Sequence, residues 1–123
     1  MTAGQRQLRH LDYIEHMVAA ALQAMAYVDG LSEQEFSRDA KTQDAVVLKL
    51  IVIGEAATQV MNESPEFTGL HPDIPWRQLR GMRNRMAHGY FEIDVAIVWE
   101  TVATSLPELE AKLRRILAPS SSA

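Results

Sequence analysis

AVVLKLIVIGEAA, residues 45–57, is the stretch whose reading decides the fold. Only Lys49, Gly54 and Glu55 interrupt its apolar run, and the segment around it keeps a helical period from Asp39 or Thr42 to about Met61. A membrane span needs roughly 20 apolar residues, so this run is too short and too charged to cross a bilayer. A helix that is apolar on more than one face either sits at the centre of a core or serves two interfaces. In a chain of 123 residues the second option is expected, with one face for the core and one for a partner copy.

Working outward, Leu8, Leu11, Ile14, Val18, Leu22, Met25 and Val28 recur every three or four residues and predict a first helix that ends at Asp29-Gly30. Ser32-x-x-Glu35 is a capping-box pattern and predicts a short extra helix before the apolar one. Residues 62–75 carry four breakers, Pro65, Gly69, Pro72 and Pro75, and are expected to be a loop. Pro75 suits the first turn of a third helix that buries Trp76, Leu79, Met82 and Met86 and stops at a C′ glycine, Gly89. Asp94 can cap a last helix with a seam of Val95, Val98, Val102, Leu106, Leu109, Leu113 and Ile116, in which Pro107 should introduce a kink. No strand-like alternation and no internal repeat occurs. The expected fold is all-α: an up-and-down bundle of four main helices plus a short extra helix, forming a single domain over residues 1–118 with a disordered tail at 119–123.

Composition narrows the function. The absence of cysteine removes disulfides, thiolate metal sites and a cysteine nucleophile, which suits a cytoplasmic protein. The polar opening MTAGQRQLRHLD is no secretory signal, and no membrane association is expected. Net charge is -4, which argues against a general nucleic-acid coat. Its distribution is uneven. Between Pro75 and Phe91 stand four arginines (77, 80, 83 and 85) and no acid, leaving eight basic against sixteen acidic residues elsewhere. A focused anion site on an acidic body fits that pattern.

The cationic stretch culminates in RNRMAHGY, residues 83–90. Asn84 and His88 are four apart and share a helix face. Arg83 and His88 are five apart, about 140° around an ideal helix. They converge only if the helix end unwinds or if a second copy supplies one of them. Histidine titrates near neutrality and can move a proton to or from a ribose hydroxyl or a leaving oxygen. Arginine stays charged and can hold a phosphate through two nitrogens. The residue types therefore suit phosphodiester cleavage with no metal and no cofactor. The same residues also suit a plain structural role, in which basic side chains complement the dipole at a helix C-terminus.

Four pieces in order, IGEA (53–56), PW (75–76), GMRNRMAHGY (81–90) and Ile93-Asp94 with Val98-Trp99, make the chain resemble the HepT-like branch of the HEPN-domain family over about residues 11–117. The resemblance implies a helical homodimer whose motifs face a shared cleft. It also implies a metal-independent endoribonuclease, the toxin of a type VII-like HEPN/MNT toxin–antitoxin pair. Carried over by position, Arg83 and His88 would be the catalytic pair, with Asn84 supporting them. Tyr90 would receive AMP from ATP, transferred by a minimal nucleotidyltransferase antitoxin, which silences the nuclease.

Glu55, inside the apolar run, is expected to pair with an arginine of the third helix and so orient Arg83 or Arg80. Arg77, Arg80 and Arg85 can extend a phosphate-binding surface, although Arg85 points away from Arg83. His10, Asp12, Glu15 and His16 read as a solvated helix face rather than metal ligands, and Trp76 and Trp99 as core anchors. A rival function is a non-catalytic subunit that binds a nucleotide or a nucleotidyltransferase partner through the same cleft.

Overall fold

The structure, a computed structural model, describes residues 3–118, with the side chains of residues 9–89 and 91–118. The tail expected at 119–123 lies outside the described residues. Helices α1 (Ala3–Tyr27), α2 (Glu33–Ser37), α3 (Ala40–Glu63), α4 (Pro65–Leu70), α5 (Trp76–His88), α6 (Val95–Glu100) and α7 (Leu106–Leu117) follow in order, with no strand among the described residues. A π-turn, Thr101–Ser105, joins α6 to α7 without a break, so the two form one long last helix. The fold is all-α with four main helices, as the hydrophobic periods predict.

The apolar run lies at the centre. Helix α3 packs on α1 along one side and on α5 along another, and α1 also packs on α7. Val46, Val47, Leu50, Ile53, Ala56, Ala57 and Val60 of α3 are all in the core. Leu48 and Val52 remain exposed, at 57% and 37%, and with Glu55 and Gln59 they continue one outward stripe at helical spacing.

Local chemistry sets the boundaries. Gly30 takes a φ of +79°, a left-handed conformation that costs little only for glycine, and it closes α1. Ser32 and Glu35 complete the capping box of α2. Asp39 caps α3, accepting from the backbone N–H and the hydroxyl of Thr42. Those two bonds hold the Asp39 carboxyl below its ordinary value of 3.8.

Four expectations need correction. Residues 62–75 are not all loop, because Pro65 starts the short helix α4; its missing N–H costs nothing in a first turn. The buried stripe of α1 includes Ile14, Met17, Ala20, Ala21 and Ala24, and Leu22 is 49% exposed. His10 is buried, its ring 5.2 Å from that of Phe67, while Asp12, Glu15 and His16 are exposed as expected. Gly89 ends α5 at a φ of -107°, so it is not a left-handed C′ glycine. What suits glycine there is crowding: a Cβ would lie 2.8 Å from the Arg85 carbonyl oxygen. The disturbance expected at Pro107 takes the form of the preceding π-turn, where the Leu106 N–H bonds the Thr101 carbonyl five residues back.

Candidate functional site

The site grows from the α3–α5 contact. A Cβ placed on Gly54 would overlap the Cβ of Arg83 and lie 2.6 Å from the Leu79 carbonyl oxygen. Glycine therefore lets the two helices touch at Arg83. The next residue, Glu55, reaches across that contact, and its Oε2 accepts from Nη1 of Arg83. Its other oxygen, Oε1, accepts from Nε2 of Gln59 at 3.0 Å. Of the two arginines weighed as partners for Glu55, the structure pairs it with Arg83. The pair is not interior: the Glu55 side chain is 48% exposed and that of Arg83 22%. Nε of Arg83 is buried and has no hydrogen-bond partner among the described residues.

Along α5, Trp76, Leu79, Met82 and Met86 are buried, as their spacing predicts. Arg77, Asn84 and His88 are exposed and Arg80 is half-buried. Helical geometry sets these four within a sector of about 80°, a polar strip beside Arg83. Among the described residues no ion pair involves Arg77, Arg80 or His88. Arg85 points elsewhere, as expected. It lines a separate groove of about 460 Å³ with Gln78, Met82, Ile97 and Thr101.

The helix does not unwind before His88. It runs intact from Trp76 to His88, and the Gly89 N–H still bonds the Arg85 carbonyl at 2.8 Å. Arg83 and His88 thus keep the rotation of about 140° set by their spacing and do not converge within one chain. Tyr90 begins a 3₁₀ turn, Tyr90–Glu92, and its side chain lies outside the described residues. Gln59 is the site residue that sequence reading missed. Its position four residues after Glu55, on the same face, is the signal that points to it.

Comparisons with known proteins identify the family. The family model described as ribonuclease HepT-like matches residues 13–116. The chain belongs to that family. It is 36% identical over 107 residues to a protein of Thermococcus cleftensis named a probable ribonuclease HepT, covering 87% of this chain and 94% of the relative. A protein of Caldanaerobacter subterraneus subsp. tengcongensis, named as a candidate RNase, is 36% identical over 85% of this chain and 91% of its own length. A third, from Methanocaldococcus jannaschii and similarly named, is 33% identical over 74% and 73%. No solved structure matches the chain. The fold is HEPN-type and all-α, and among the described residues no helix is long and apolar enough to cross a membrane.

Proposed function

We propose that this HepT-like chain is a ribonuclease and acts as a cytoplasmic, single-domain homodimer. Arg83 and His88 are its catalytic pair, supported by Asn84, Glu55 and Arg80. The observation that carries this reading is the intact end of α5. Two residues with the right chemistry sit about 140° apart on one rigid helix, and a two-fold partner is the simplest way to bring one copy's Arg83 to the other's His88. The exposed stripe of Leu48 and Val52 runs along α3 to Glu55, and so offers an apolar seam beside that arginine.

In such a cleft Arg83, held by Glu55, binds the scissile phosphate and stabilises its developing charge. His88 takes a proton from the attacking ribose hydroxyl, or in its protonated form delivers one to the leaving oxygen. These steps need no metal. The motif resemblance extends the proposal to a toxin whose partner is a minimal nucleotidyltransferase. The Tyr90 hydroxyl attacks the α-phosphate of ATP, pyrophosphate leaves, and the bulky anion two residues from His88 excludes RNA.

The test is incubation of purified protein with single-stranded RNA in EDTA, beside the folded variants His88→Ala and Arg83→Ala. Cleavage by the wild type alone supports the reading. Cleavage that persists in either variant removes the assigned pair, and complete inactivity of the wild type with ATP-dependent binding of the nucleotidyltransferase favours the non-catalytic subunit.

A further inference from the structure

We propose that Gly54 is a positioning residue for RNA cleavage, acting through the geometry of Arg83; this rests on the ribonuclease reading above. Glycine is a poor choice inside a helix, where its extra backbone freedom makes it less stable than alanine. Here it stands in the middle of the central helix and is buried. A cost of that kind is offset where a side chain would block a close approach. At Gly54 the blocked atoms belong to Arg83 itself and to the Leu79 carbonyl, one turn earlier on α5. The neighbouring core position, Ala57, is fully buried yet carries a side chain, so the demand for glycine is local to Arg83.

The close approach has a second effect. It puts the backbone of residues 54 and 55 against α5, within reach for the Glu55 carboxylate to take Nη1 of Arg83. With one nitrogen fixed, the guanidinium is held at the edge of the α3–α5 contact, beside the polar strip that carries His88. A methyl group on residue 54 pushes the helices apart or turns α5 about its axis. Either response moves the arginine relative to a phosphate held by the rest of the cleft. Displacements of about 1 Å in such sites can cost up to about a hundredfold in rate. Binding of the remaining RNA, spread over other contacts, is affected less.

The experiment compares full-length wild type, Gly54→Ala and Ala57→Gly. Three readouts are taken: thermal unfolding, kcat and KM on single-stranded RNA, and the NMR signal of the Arg83 Nε–H, assigned by its loss in Arg83→Lys. Gly54→Ala is expected to lower kcat by about tenfold or more, leave KM within about threefold and shift the Arg83 signal. Ala57→Gly is expected to lower the melting temperature while keeping kcat and the Arg83 signal. Wild-type kcat with an unmoved Arg83 signal in Gly54→Ala overturns the proposal, as does a kcat loss in Ala57→Gly as large as that in Gly54→Ala.

Should Gly54→Ala not fold, Glu55→Asp takes its place. It shortens the reach across the same contact by one methylene and is expected to lower kcat with KM retained; unchanged kcat in that variant overturns the proposal. If the wild type itself cleaves no RNA, the ribonuclease reading falls. The Arg83 signal in these variants then still decides whether the contact at Gly54 sets the arginine's geometry.

Discussion

Glu55 and Arg83 are joined across the α3–α5 contact, and Gln59 holds the second oxygen of the same carboxylate. Exposed ion pairs contribute only about 0–1 kcal/mol to stability, and Glu55 is half-exposed. The value of the pair therefore lies in orientation. Glu55→Gln should change unfolding free energy by less than about 1 kcal/mol while lowering RNA cleavage about tenfold. Chemical denaturation and initial-rate kinetics on the same preparation check both. A large stability loss with unchanged turnover would show that the pair is structural.

Leu48 lies on the outward stripe of α3, away from the core. If that stripe is the dimer seam, Leu48→Asp should halve the mass seen by light scattering, leave the helical circular dichroism intact and abolish cleavage. A variant that remains dimeric and active places the interface elsewhere.

Arg77 and Arg80 belong to the polar strip of α5 but have no ion-pair partner among the described residues. Each is expected to meet an RNA phosphate flanking the cleavage point. Removing one such contact should reduce the slope of log affinity against log salt by about 0.7 for single-stranded RNA. Arg77→Ala should therefore raise KM and flatten the salt dependence with kcat kept, and Arg80→Ala should flatten it likewise while also lowering kcat. Binding isotherms over a salt series measure it.

Asp39 supports α3 as a carboxylate, and its bonds from Thr42 depress its folded-state pKa. A depressed carboxyl contributes stability above its unfolded value, and loses that contribution as pH falls through the folded value. Asp39→Ala should thus lower the melting temperature at neutral pH, and the gap from wild type should close in scans well below pH 3.8, the ordinary value. A gap that persists unchanged in acid would mean that the cap does not act through its charge.

Much of the fold is legible in the sequence because the large apolar side chains of α5 and of the last helix mark their buried faces unambiguously. Helix α1 is less legible. Its buried face includes Ala20, Ala21 and Ala24, small residues that carry little pattern weight, and the larger Leu22 falls outside it. His10 misleads for a similar reason: its polarity suggests solvent, yet Phe67, from a segment read as loop, covers it. At the site, residue types and spacing are what the chemistry proposed for Arg83 and His88 rests on. They leave open which arginine Glu55 takes. That choice becomes visible only when α3 and α5 are seen in contact.

The central claim is that Arg83 of one copy works with His88 of the other. The most direct test unfolds Arg83→Ala and His88→Ala together, refolds the mixture and assays RNA cleavage. Random pairing makes half the dimers heterodimers, each with one site intact of two, so activity should return to about a quarter of the wild-type level. Each variant refolded alone should stay inactive. A mixture as inactive as its components, with heterodimers present by mass, would contradict pairing across the interface.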